Sequence, residues 1–338
     1  MMNSTRHFIF RLTTLLISFL LCSTTQAQET ECKRLHSVVW ENDAIADDDG
    51  GYTNGFAYNW GYKSIACGQS WTQKLNSWFT AFSQLHGQSH EETNAPFSYQ
   101  LVHAIFTPSD IENHEVDPDD RPHTGLMYGA LKFNHHNEIS TTHYELLLGA
   151  VGPITKAAEI QEFIHEVIGT NNPNGWEHQT KNEAVFRLGM DKNWKIYNGA
   201  FLKNHDSDLI AMSDAKIGNL SSDIGAGLSY RIGRNLNNTF PYHNLTPGRS
   251  IPSFTLTPGD WNIFFTIYGN YVFNDITIEG NTRKDSHGVP LINEQFRYVA
   301  GGYYQFKRYG FSASIQQSSE QFEGVDEDTL FLTLGLSY

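Results

Sequence analysis

Three groups of polar residues have the composition of a hydrolytic centre. Glu41-Asn42-Asp43 stands before a turn and Tyr52-Thr53-Asn54-Gly55 opens after it, with Asp47, Asp48 and Asp49 between them. Gln161 and His165 lie four residues apart, a spacing that puts both on one face of a helix. A hard cation such as Ca²⁺ takes oxygen ligands from carboxylates, amides and backbone carbonyls, all of which these turns supply. A histidine that takes a proton from water, with a cation polarising the carbonyl, suffices for ester hydrolysis. The same residues also suit plainer roles: Asn-Asp and Asp-Asp-Asp-Gly-Gly are ordinary turn chemistry, and a single helical His carries little signal among 15. Asp119-Asp120-Arg121-Pro122 reads as a solvated ion pair, which is worth little.

Other chemistries have no motif here. There is no Gly-x-Ser-x-Gly elbow, no His-Glu-x-x-His, no cysteine cluster and no phosphate loop, so serine hydrolases of the elbow type, zinc proteases and nucleotide enzymes are without support. Of 338 residues, 23 are Lys or Arg and 37 are Asp or Glu, a net charge of −14. That balance argues against a nucleic-acid partner, whose phosphates need a basic surface.

The elements that must position the polar groups alternate with period two. Phe56, Tyr58, Trp60 and Tyr62 alternate with Gly55, Ala57, Asn59 and Gly61; Trp261, Ile263, Phe265, Ile267, Tyr271 and Phe273 alternate with Asn262, Thr266, Asn270 and Asn274. Such strands bury one face and wet the other. Aromatics at 13% and 28 glycines favour a membrane barrel, with aromatic girdles outside and small residues inside. A periplasmic sandwich is the competing all-β reading, since its apolar face would meet a second sheet. Twelve strands are expected, near 36–43, 52–64, 98–107, 123–134, 141–151, 183–197, 208–218, 222–232, 260–274, 291–306, 310–320 and 328–338. Leu330, Leu332, Leu334, Leu336 and Tyr338 share one face of the last strand. With both chain ends periplasmic, the connections 44–51, 108–122 and 152–182 open on the outer surface, and these hold the candidate residues.

Residues 1–27 read as a secretory signal, with Arg6 and Arg11, an apolar stretch from Leu12 to Leu21, and Thr25-Gln26-Ala27 for cleavage. Cys32 and Cys67 flank the first hairpin, so export into an oxidising compartment leaves either a disulfide or two free thiols. Two segments have helical spacing. Residues 68–90 carry Trp71, Leu75, Trp78, Phe79, Phe82 and Leu85 as an apolar stripe, either lying in the membrane interface or plugging the barrel end. The second runs from Gly152-Pro153 to Gly169, with Ile154, Ala157, Ile160, Ile164 and Val167 or Ile168 on an apolar side.

The order of these pieces resembles the outer-membrane lipid A deacylase family. The residues that carry the resemblance are Glu41-Asn42-Asp43, Gly51-Tyr52-Thr53-Asn54-Gly55, Ile105-Phe106-Thr107-Pro108, Asp120-Arg121-Pro122-His123-Thr124-Gly125, Leu148-Gly149-Ala150-Val151-Gly152-Pro153, Gln161 to His165, Gly175-Trp176 and Gln179 to Glu183. The resemblance implies a 12-stranded antiparallel transmembrane β-barrel over residues 28–338, with a short helix in an extracellular loop and the site facing the cell exterior. It implies calcium-dependent removal of a 3′-acyloxyacyl chain from lipid A, with lipopolysaccharide and outer-membrane lipids as partners and a monomer as the working form. Carried over by position, His165 is the general base, Asn42 and Asp43 serve the Ca²⁺ and oxyanion site, Thr53 and Gln161 support it, and Arg121 holds the anionic headgroup. Asn171 stands where the family pattern has a glutamate. A noncatalytic barrel, an adhesin or a narrow pore, is the alternative that this departure keeps open.

Overall fold

The computed structural model of the protein describes residues 34–43, 51–62, 70–84, 97–169, 173–201, 205–240, 258–324 and 329–338. The expected signal segment, Cys32, Cys67, the Asp47-Asp48-Asp49 run and Asn171 lie outside the described residues. Twelve antiparallel strands close into a barrel. They are β1 (Arg34–Asn42), β2 (Gly51–Tyr62), β3 (Phe97–Thr107), β4 (Thr124–His136), β5 (Ser140–Val151) and β6 (Glu183–Phe201), then β7 (His205–Gly218), β8 (Ser221–Gly233), β9 (Trp261–Asp275), β10 (Glu294–Phe306), β11 (Tyr309–Ser318) and β12 (Thr329–Ser337). Each strand pairs with its sequence neighbours, and β1 pairs with β12 from Ser37↔Ser337 to Asn42↔Leu332. Just beyond that ladder, His36 and Tyr338 exchange backbone bonds of 3.1 and 3.0 Å, and their rings stack at 5.3 Å. Closure leaves no edge strand, which is what lets a sheet cross hydrocarbon with every backbone group paired.

The period-two faces fall as the alternation requires. Phe56, Leu101, Ile224, Leu228, Ile263, Phe265, Ile267, Phe296, Tyr298, Phe311 and Ile315 are exposed on the outer wall, while Ala57, Asn59, Ser229 and Thr266 are buried inside. The lumen is filled by polar side chains. Lys132 and Arg187 reach the two oxygens of Glu145 at 3.6 and 3.2 Å, Lys216 bridges Asp214 and Asp223, and Arg231 Nε donates to Asp208 at 2.9 Å. These charges are almost wholly inaccessible, so each must be paired to be tolerated. A lumen packed this way is a polar core and not an open channel.

The first helix, α1 (Ser70–Gln84), lies on the outside of the barrel and does not plug it. Leu75 packs against Phe97, Leu131, Phe133 and Tyr144, which are outward residues of β3, β4 and β5 that the helix covers. Trp71 sits near Tyr99 at 6.4 Å, and both Trp71 and Trp78 are exposed. The second helix, α2 (Ala157–Ile168), follows a 3-10 turn at Pro153–Thr155 and ends at Gly169, whose φ of 78° is left-handed. Glycine occupies that conformation without steric cost, so the helix stops there. A one-turn helix, α3 (Ile276–Glu279), leads out of β9.

Candidate active site

The site begins with parity. Along β1, Glu41 points into the lumen and Asn42 outward, because Glu41 pairs with Thr333 on the inner face and Asn42 with Leu332 on the outer. On β2 a bulge between Tyr52 and Asn54 lets Thr53 escape the alternation. Tyr52 stays inside, where its hydroxyl donates to Glu41 Oε2 at 2.7 Å and its ring meets Phe106 at 5.2 Å. Thr53 then reaches Thr107 at the end of β3, Oγ1 to Oγ1 at 2.6 Å. Asn42 Nδ2 donates to the Thr53 carbonyl at 2.6 Å, which ties the two turn ends together. Asn42, Asp43 and Thr53 are all buried although they stand at the barrel rim.

What buries this strip of wall is the connection that carries α2. Ile105, outward on β3, packs with Ala157 and Trp176. His103, two residues along the same outward face, donates from Nε2 to the Thr155 carbonyl at 3.0 Å. Gly125 on β4 makes the approach possible: a Cβ there would stand 2.1 Å from Thr155 Oγ1 and 2.5 Å from the Ala157 Cβ. The helix therefore lies against the outer wall of β3 and β4, with Thr53 and Thr107 at the top of the same strip.

The face of α2 turned to the wall is Ala157, Gln161 and His165, all buried. The spacing alone leaves open which side of the helix packs inward. Ala157 does pack inward, yet Ile154, Ile160 and Val167 are exposed, and Phe163 with them. The polar pair occupies the inner face, where Trp176 meets Gln161, and Ile160, Phe163 and Val167 look away from the barrel.

Gln161 is held from outside the helix. Trp176 Nε1 donates to Gln161 Oε1 at 2.8 Å. Since an indole N–H can only donate, the amide carbonyl must face it, and the amide NH₂ is turned the other way. Among the described residues that nitrogen has no hydrogen-bond partner. Trp176 is itself placed by Gly175 (φ 81°) and by His123, whose ring centroid is 4.9 Å from the indole. Burial pushes the His123 imidazole down to about 4; nearby Glu177 opposes that shift and His178 adds to it. His123 is therefore neutral at physiological pH. His103 lies in no motif, and although His123 and Trp176 fall in stretches that carry the resemblance, no local pattern announces their stacking or the Trp176 bond to Gln161.

Arg121 is not brought to this cleft. Its guanidinium lies on the lumen side, donating to Thr277 O at 3.3 Å and Thr277 Oγ1 at 3.2 Å, over the Phe106 ring at 5.1 Å. It lines a partly open pocket in the lumen with Tyr52, Tyr128 and Arg187. The expected solvated pair with Asp120 is also absent. Asp120 is buried and spends its carboxylate on backbone N–H groups, Ser109 at 2.7 Å and its neighbour Arg121 at 2.6 Å.

A buried Asp43 carboxylate, the Asn42 side chain and backbone carbonyls form an oxygen donor set, which fits a hard cation. The Asn42 amide nitrogen is committed to Thr53 O, so the carbonyl end of that side chain faces elsewhere. Among the described residues no group of three or more His, Cys, Asp or Glu is placed to hold a metal ion, so the candidate donors are one carboxylate with amide and backbone oxygens rather than a zinc-type set.

A family model described as outer membrane protein LpxR matches residues 14–338. Among solved structures, the chain is similar to LpxR from Salmonella typhimurium at 17% identity, over 90% of this chain and 99% of that one, with a TM-score of 0.71. It is also matched to the beta domain of the Bordetella autotransporter BrkA at 8% identity, over 91% and 98%, with a TM-score of 0.42. The translocator domain of the autotransporter NalP from Neisseria meningitidis follows at 10% identity, over 99% and 96%, with a TM-score of 0.39. At these identities the likeness is one of fold. A search of curated protein sequences gave no match.

Proposed function

The chain belongs to the LpxR family of outer-membrane proteins, and from that membership and the cleft between barrel wall and helix we propose that it hydrolyses an ester-linked acyl chain of lipid A. The bond cut is the ester of the 3′-linked acyloxyacyl group, and the cleft faces the cell exterior, where lipid A resides. The observation that carries this reading is helix α2, which buries Gln161 and His165 on the side turned to β3 and β4, while Thr53 is bonded to Thr107 at the end of the same β3.

His165 is the general base. It accepts a proton from water as the water oxygen attacks the ester carbonyl carbon, then returns that proton to the departing sugar oxygen as the tetrahedral intermediate collapses. The Gln161 amide, with its carbonyl held by Trp176, presents its NH₂ as a fixed donor to the oxyanion that develops. Asn42 and Thr53 lock the two turn ends so that Asp43 and the Asn42 carbonyl keep their places without reorganisation. Asp43, the Asn42 carbonyl and backbone oxygens would hold Ca²⁺, which when bound supplies polarisation of the scissile carbonyl. Arg121, on the lumen side, has no part in this scheme.

The test is mass spectrometry of lipid A incubated with the detergent-purified protein, with Ca²⁺ and with chelator. Loss of an acyloxyacyl mass in Ca²⁺ and none in chelator is expected. Intact lipid A in both, from protein shown to be folded, would overturn the proposal.

A further inference from the structure

Helix α2 has three sides. Ala157, Gln161 and His165 face the wall; Glu159, Glu162 and Glu166 are exposed along a second arc; Ile160, Phe163 and Val167 are exposed along a third. At 100° per residue the last three span about 60° of the helix, a continuous apolar flank. Their exposures of 36%, 62% and 39% fall in the range of the barrel's outward wall, where Met127 and Leu148 stand at 40% and 61%. Such a flank in water would be a costly exposure on a helix that could have placed these residues inward.

The flank is continuous with the wall that faces lipid. Thr155, in the 3-10 turn that leads into α2, is bonded to His103, and His103 pairs in register with the outward Met127. His103 is four residues short of the end of β3, roughly 13 Å along the strand at 3.3 Å per residue. The seat of the helix is therefore beside lipid-facing residues and not above them. Ile154, exposed just before the helix, extends the apolar strip.

We propose that the Ile160, Phe163 and Val167 flank of α2 is immersed among the acyl chains of the surrounding leaflet, so that a bilayer-resident lipid enters the cleft sideways along this flank instead of from solution. The acidic arc then faces the headgroup layer and water. The inference rests on the proposed lipid substrate for its consequence, but the immersion itself is independent of turnover.

The experiment adds an indole. Phe163→Trp in the full-length protein, reconstituted in vesicles of phospholipid brominated along the acyl chains, is compared with the parent, which carries seven tryptophans. The added emission should be quenched several-fold by brominated chains and little by aqueous iodide. Quenching by iodide alone would overturn the inference. A kinetic arm separates it from the function: Phe163→Ser should raise KM for lipid A in vesicles about tenfold with kcat unchanged, from the loss of one apolar contact. An equal KM for variant and parent would remove the sideways route. Bromine quenching in a protein that leaves lipid A uncut would keep the immersed flank and sink the deacylase reading.

Discussion

Replacing Trp176 by Phe tests whether Gln161 must be held. The ring contacts with Ile105 and Ala157 survive the change, while the 2.8 Å bond to Gln161 Oε1 is lost. Gln161 is 2% exposed, so no water replaces the indole and its carbonyl is left without a donor. Leaving one buried acceptor unsatisfied costs about 1–3 kcal/mol. If that cost falls on the positioned state of the helix face, kcat/KM drops between about fivefold and a hundredfold. The assay is the initial rate of fatty acid release from lipid A, with the heat-modifiable gel band as the check on folding. A double-mutant cycle identifies the route: Trp176→Phe combined with Gln161→Leu should be no slower than Gln161→Leu alone, within about 0.5 kcal/mol. Additive losses, or full activity in Trp176→Phe, would refute the reasoning.

Gly125→Ala should lift α2 from the wall, because the new Cβ would meet Thr155 and Ala157 at 2.1 and 2.5 Å; activity falls at least tenfold, and limited proteolysis opens the 157–168 segment while the barrel stays intact. His123 has its pKa lowered from 6.5 to about 4 chiefly by burial, so stability is full above pH 6.5 and declines as the pH falls toward 4, by about 3 kcal/mol when protonation is complete. Denaturant unfolding across that window reads the loss, and an imidazole that titrates at 6.5 by NMR contradicts it. Deleting Tyr338 removes two backbone bonds and the ring stack on His36, so the yield of folded, membrane-inserted barrel should fall while a Tyr338→Phe variant retains it.

The barrel was legible because its strands repeat one simple pattern, aromatic or aliphatic outward and small or polar inward, through to the final strand. Strand ends were less so: β6 runs to Phe201 rather than 197, since Asn198 and Gly199 lengthen the ladder beyond the apolar band. Residue types singled out Asn42, Asp43, Thr53, Gln161 and His165, and the fold places the first three at the rim ends of β1 and β2 and the last two on the buried face of α2. The spacing of α2 gives an apolar side and a Gln161–His165 face but not which of them meets the wall, and the structure buries the polar pair. The setting of Arg121 was not legible, whether as a local pair or as a headgroup contact, because its partner Thr277 lies 156 residues away in sequence. The bonds of Trp176 to Gln161 and of His103 to Thr155 join residues that have no sequence relation, so only the fold could reveal them.

The central claim, that chemistry occurs between the outer wall and α2, is tested most directly with His165→Ala. Lipid A incubated in Ca²⁺ with this variant, shown to be folded and membrane-inserted, should keep its full mass while the parent protein shortens it by the acyloxyacyl group. Equal cleavage by variant and parent would place the chemistry elsewhere and contradict the account.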